Sequence, residues 1–200
     1  MPGPAPSRTT RPHGQRSRQR ILDAAIECLV DLGYSGTTTV AVQRRAGVTR
    51  GALLHHFPSR DELLVAAVAH LGEARFDVLV REVEEAARNG NRIDAAIDAT
   101  WESFTGPLFI AATELWLAAR THAEFRAVLV QAERQLGKRF GAGYLEVFGD
   151  YGRHPRFPEF LDLLLSSMRG AALVHNLGRT RRRDAAYLRM WKGLAHEMLS

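Results

Sequence analysis

The sequence predicts an all-α protein with two parts: an N-terminal three-helix unit and a larger helical domain behind it. Three observations carry this prediction. Apolar residues recur at the spacing of helix faces along most of the chain, residues that start and stop helices punctuate them at short intervals, and nothing alternates with the two-residue period of a strand. With 200 residues, 46% hydrophobic and 24% charged, the chain can bury a sizeable core and has an ordinary globular composition. There is no internal repeat.

Residues 1–14 are rich in Pro, Gly, Ser, Thr and Arg without apolar periodicity, and read as a disordered basic arm. From Arg16 onward, Ile21, Leu22, Ala25, Ile26, Leu29 and Leu32 share a helix face that stops at Gly33. Gly36 and the Thr37, Thr38, Thr39 run then supply a loop and an N-cap for a short second helix over 40–46, which Gly47 ends. Thr49 caps a third short helix reaching His56, and Phe57-Pro58 breaks it. Ser59, with Glu62 three residues later, forms a capping box that opens a long fourth helix.

Asn89, Gly90 and Asn91 break the chain again, after which Ile93, Ala96, Ile97 and Trp101 share a face. Gly106-Pro107 introduces an apolar helix through Arg120. A long helix from Ala123 contains Gly137, Gly141 and Gly143, which favour a kink or an interruption. Residues 149–158 read as a loop, and the last two helices cover about 157–177 and 184–199, parted by Gly178 and Arg181 to Arg183. The expected division is an arm at 1–14, a three-helix unit at 15–75 and a larger helical domain at 76–200.

Charge narrows the function. The first sixty residues hold nine arginines against Asp23, Glu27 and Asp31, a balance of +6, whereas the rest holds 18 basic and 19 acidic residues. A basic excess confined to one end suits a polyanion, because neutralising phosphates releases counterions. Membrane-surface binding would need a basic amphipathic helix with an exposed apolar face, and no apolar run approaches the ~20 residues of a membrane span. The arginines before Ile21 precede no apolar signal segment, and Cys28, the only cysteine, excludes an internal disulfide; a reducing cytoplasm is the expected location.

Helices two and three, joined through Ala46-Gly47-Val48, have the lengths and the Gly-containing turn of a helix-turn-helix. The run Gly33-Tyr34-Ser35-Gly36-Thr37-Thr38, followed by Ala46-Gly47-Val48-Thr49-Arg50-Gly51-Ala52-Leu53-Leu54-His55-His56-Phe57-Pro58-Ser59-Arg60-Asp61-Glu62-Leu63, closely resembles the signature of the tetracycline-repressor (TetR) family. The detailed match covers about residues 16–70. The resemblance implies a homodimeric DNA-binding regulator, with the rest of the chain similar only in length and helical character.

The matched positions also have individual chemistry. Thr38 and Thr39 at the start of helix two, and Thr49 at the start of helix three, are expected to hold phosphates beside unpaired helix N–H groups. Arg50 is the expected base reader, its fork matching guanine O6 and N7, while Gly51 lets backbone approach DNA. Arg44, His55, His56 and Arg60 are expected near phosphates, and Val48, Leu53 and Phe57 to hold the small helices together. Leu54 departs from the family pattern, where Tyr is usual, and either meets a thymine methyl or packs; Gln43 stands where a small residue is more usual. Adjacent histidines point about 100° apart on a helix and make a poor chelate, so His55-His56 is read as a DNA contact and no metal site is expected.

In the larger domain, Trp101, Phe104, Phe109, Trp116, Phe125, Phe140, Tyr144 and Met168 either line a ligand cavity, as the family's inducer sites do, or fill core. Among these Trp101, Phe104, Trp116, Tyr144 and Met168, with Glu114, are the candidate ligand set; Glu114 either meets a cationic ligand or faces solvent. Apolar residues on more than one side of the last two helices predict a four-helix interface between two chains. The leading expectation is a repressor released from a pseudo-palindromic double-stranded DNA operator by a small-molecule effector, with no cofactor. A ligand-independent regulator or an activator is the alternative. An enzyme is disfavoured, because the chain carries no nucleophile elbow, phosphate loop, His-x-x-x-His pair or paired carboxylates with a base.

Overall fold

A computed structural model describes residues 10–88, 91–178 and 181–199. Among them are nine α-helices and no strand: α1 (Thr10–Gly36), α2 (Thr39–Ala46), α3 (Arg50–His56), α4 (Arg60–Ala87), α5 (Arg92–Phe104), α6 (Pro107–Thr121), α7 (Ala123–Phe148), a 3-10 turn at Gly149–Arg153, α8 (Phe157–His175) and α9 (Arg181–Leu199). The all-helical expectation holds. None of these helices is long and apolar enough to cross a membrane.

Local chemistry sets the ends of the early helices. The Thr38, Thr49 and Ser59 hydroxyls accept from the N–H groups of Ala41, Ala52 and Glu62 at 3.1, 3.2 and 3.1 Å. Each thereby satisfies an N–H that has no partner inside its helix. Gly47 stops α2 in the left-handed region at φ 62°.

Two starts differ from the sequence reading. α1 begins at Thr10, inside the segment read as a disordered arm; Pro12 falls in its first turn, where a missing N–H costs nothing. No apolar period announces those turns, because they extend beyond the core. α9 likewise begins at Arg181 rather than after Arg183. Residues 1–9 and the Asn89-Gly90 break lie outside the described residues.

Burial follows two connected cores. The first joins Ile21, Leu22, Ala25 and Leu29 of α1 to Val42, Leu53, Phe57 and the Leu63-Leu64 pair, and continues into α6 and α7 through Ala111, Leu115, Phe125 and Leu129. Each fully buried leucine here contributes about 1.5–3 kcal/mol. Leu32, expected on the buried face, is 48% exposed. The second core gathers Leu79, Val83, Ile97, Trp101, Phe148, Phe160, Leu164, Met168 and Trp191. The cores do not divide at residue 75: α4 contributes to both, α6 and α7 do the same, and Trp116 packs against both.

The glycines of α7 do not interrupt it. A Cβ at Gly143 would stand 2.2 Å from Phe76 of α4, so glycine is what lets these helices approach with the Phe76 ring between them.

Candidate functional site

Within the helix-turn-helix, the start of α3 and one face of α2 are exposed. Arg50 and Leu54, one helical turn apart, are both exposed, as are Gly51 and His55 beside them. The opposite face, Leu53 with Phe57, is buried in the first core. Leu54 does not pack: it is 43% exposed. On α2, Arg44 is exposed, Thr39 half-buried and Val40 61% exposed; sequence reasoning passed over Val40 because an isolated valine carries no signal. Arg45 is tied back to α1 by Asp31 at 2.7 Å and Glu27 at 3.8 Å.

Thr38 and Thr49 use their hydroxyl oxygens as caps, which leaves each O–H free to donate outward. Arg18 of α1 lies 5.4 Å over the Phe57 ring, so α1 adds a cation beside the end of α3. Burial lowers the His56 imidazole below its ordinary pKa, and the neighbouring His55 and Arg18 act in the same direction. The His55 and His56 rings meet edge to face at 5.4 Å, and no group of three metal-ligating side chains occurs among the described residues.

Arg60 corrects the sequence reading. Its guanidinium turns inward, donates to the Thr37 carbonyl at 2.6 Å and to the Tyr34 carbonyl, and stacks 4.1 Å over the Tyr34 ring. With Nε and one terminal nitrogen bonded to backbone carbonyls and the other terminal nitrogen 3.6 Å from Asp61, it clasps the loop between α1 and α2.

Glu114 is a second correction. Its Oε2 accepts from the Tyr34 N–H at 2.7 Å, across 80 residues, so the half-buried carboxylate serves as a joint between α1 and α6. Gly33, at φ 66°, makes this possible: a Cβ there would lie 2.9 Å from the same oxygen. The Tyr34 ring packs 5.0 Å from Phe125, and its hydroxyl donates to Asp61 at 3.1 Å. One residue thus joins α1, α4, α6 and α7.

Behind this joint, α4 to α8 enclose a cavity of about 580 Å³. Phe104, Trp116 and Tyr144 of the expected ligand set line it, together with Phe109 and Phe140. Trp101 and Met168 do not: Trp101 is packed between Trp191 and His175, and Met168 is fully buried in the second core. Phe125 belongs to the first core. Phe76 stacks on Phe140 at 5.0 Å and meets Tyr144 edge to face at 5.4 Å, while Phe104, Phe109 and Trp116 form an edge-to-face series. Burial pushes the Tyr144 phenol up to about 12, so it remains a neutral donor.

Phe76, Arg75, Glu133 and Arg169 also line the cavity and had no sequence signal, since each is an ordinary surface-type or core-type residue until the helices pack. Glu133 accepts from the Trp116 indole N–H.

A capped two-helix reader with an exposed arginine at the head of its second helix, joined by shared helices to an apolar cavity, defines a helix-turn-helix DNA-binding transcription regulator. The sequence profile of bacterial regulatory proteins of the tetR family matches residues 21–67. On that match the N-terminal unit is of the TetR DNA-binding type. It is 23% identical over 172 residues to the uncharacterized HTH-type transcriptional regulator Rv2912c of Mycobacterium tuberculosis, covering 86% of this chain and 88% of that one. Over 66 residues it is 38% identical to the HTH-type transcriptional repressor AcnR of Corynebacterium glutamicum, covering 33% and 35% of the two chains. The fold matches that of the multidrug binding protein EbrR, solved with malachite green, with a TM-score of 0.63 at 21% identity over 92% of this chain and 98% of that one.

Proposed function

We propose that the protein is a cytoplasmic, homodimeric repressor that leaves its operator when a small molecule enters the α4–α8 cavity. The observation that carries this reading is the continuity of α4 and α6. α4 starts on the Ser59 cap immediately after the reader and carries Gly72, Phe76 and Leu79 to the cavity wall. α6 presents Leu108, Phe109 and Trp116 to the cavity and Glu114 to the Tyr34 N–H. A ligand that spreads these helices must therefore move or strain the reader, because packed helices shift as units.

In this reading Arg50 contacts guanine edges, Leu54 and Val40 offer methyl groups to thymine, and Gly51 admits the backbone. The Thr38, Thr39 and Thr49 hydroxyls, with Arg44, His55 and His56, hold phosphates and fix the register. Two such readers would enter successive major grooves roughly 34 Å apart on a pseudo-palindromic site. The dimer surface is the outer face of α8 and α9, where Leu163, Leu173, Val174 and Met190 are exposed and Gly170 permits close approach. Repression is supported by the AcnR likeness, and ligand binding by the EbrR complexes, whose fold this chain shares.

The test is a melting-temperature screen of small molecules, since a ligand that prefers the folded chain raises its stability. Hits are then added to the operator complex while DNA anisotropy is followed. Release by a cavity ligand is expected. Stabilising ligands that never release DNA would refute the repressor mechanism and leave the ligand-independent alternative.

A further inference from the structure

The cavity wall is charged unequally. Arg75 of α4 and Arg169 of α8 both line it. Among the described residues neither takes part in an ion pair. The opposing carboxylate, Glu133 of α7, is already engaged by the Trp116 indole N–H. Arg75 is half-buried and Arg169 exposed, and both contribute to the lining. Tyr144 also lines the wall, its buried phenol kept neutral and hydrogen-bonded to Thr100.

A guest that enters here leaves water, and charges separated from water interact more strongly. A lipophilic cation would meet two positive forks and one occupied carboxylate. A carboxylate would meet two unpaired guanidiniums whose planar N–H pairs match its oxygens. The remainder of the wall is aromatic, and Gly137 and Gly141 leave open space where side chains would stand, so a flat or extended apolar body fits beside them.

From this charge balance we infer that the cavity takes an amphipathic organic anion, an aryl or alkyl carboxylate, with its body among Phe76, Phe104, Phe140 and Trp116 and its carboxylate on Arg75 and Arg169. This rests on the reading of the cavity as the effector site.

The experiment uses the full chain and calorimetric titration of 2-naphthoate and dodecanoate, each beside its neutral amide and its ammonium counterpart. At least one carboxylate is expected to bind ~10-fold or more tightly than its amide, the scale of a charge-assisted hydrogen bond, and more tightly again than the ammonium. Arg75→Gln and Arg169→Gln should each remove most of that preference, lowering carboxylate affinity far more than amide affinity, with a parental melting temperature certifying the fold. Gly141→Leu, which fills open space, should weaken carboxylate and amide together.

Tightest binding by the ammonium compounds, carboxylate affinity indifferent to both arginine substitutions, or no binding by any probe overturns the anion assignment. Ammonium binding that Gly141→Leu blocks and that releases operator would do so while the effector reading survives. Arginine-dependent carboxylate binding without any effect on operator affinity would leave the anion site standing and remove the effector reading.

Discussion

The reader and the cavity-bearing half are both helical, yet their helices begin differently. α2, α3 and α4 each start on a side-chain cap supplied by Thr38, Thr49 or Ser59, and Leu53, Phe57, Leu63 and Leu64 behind them are buried. Beyond α5, which starts on the Asn91 cap, α6, α7 and α8 start without a side-chain cap, α7 carries three glycines, and the space between these helices is left partly open. The first region is specified residue by residue from its own neighbourhood and suits a rigid template for DNA. The second is shaped by contacts between distant helices, and its packing is incomplete where a guest fits.

The largest test of that contrast compares two phenylalanines. Phe57→Ala should cost about 3–5 kcal/mol, because the ring is closed in on every side. Phe140→Ala should cost only about 0.5–1.5 kcal/mol, the scale of its stacking on Phe76, because it already borders open space. Equal losses in urea unfolding would break the comparison.

Next in size are two arginines that look alike in sequence. Arg50→Ala should cost about 1–3 kcal/mol on operator DNA, blunt base preference and leave folding intact. Arg60→Ala should instead lower the melting temperature, since it removes charge-assisted bonds to the Thr37 and Tyr34 carbonyls worth about 1.5–3 kcal/mol before screening. Melting curves and binding isotherms on both variants sort the roles; a fully stable Arg60→Ala chain would return that residue to the DNA surface.

A smaller effect has the opposite sign. Gly141→Ala meets nothing within 4 Å and removes a helix-interior glycine, so it should stabilise the chain by about 0.5–1 kcal/mol while narrowing the cavity. Raised stability with weakened ligand binding is the expected pair, and destabilisation would show that the space is not open.

The smallest expected effect is a pH dependence. His56 has a depressed pKa in the folded chain, so the unfolded chain takes up its proton first as pH falls through the ordinary histidine value of about 6.5. The stability contributed by His56 is therefore complete above that value and is lost progressively below it. His56→Asn should flatten the melting-temperature profile between about pH 7 and 5; parallel profiles would contradict the shift.

What was legible in the sequence follows the range of the interactions. Thr38, Gly47, Thr49 and Ser59 act within four residues, and the sequence located each of them; of the expected Ser59–Glu62 box, the Ser59 half is formed. Arg60 and Glu114 act across 23 to 80 residues, and nothing near them in the chain announces Tyr34 as their partner. α7 runs unbroken through its glycines because Phe76, 67 residues away, occupies the place of a Gly143 side chain. Trp101 and Trp116 read alike as aromatic residues on amphipathic helices; only the packing of α9 over α5 puts one in core and the other at the cavity.

The central claim is that cavity and reader share an equilibrium through α4 and the Glu114 joint. The direct measurement is to titrate a ligand from the screen into the protein with and without saturating operator DNA. Linkage requires operator to weaken the ligand by the same factor by which the ligand weakens operator, with a coupling of about 1–3 kcal/mol. Glu114→Gln, which removes the charge at the Tyr34 N–H, should shrink that factor while leaving ligand affinity for the free protein unchanged. Equal ligand affinities in the two titrations would contradict the claim.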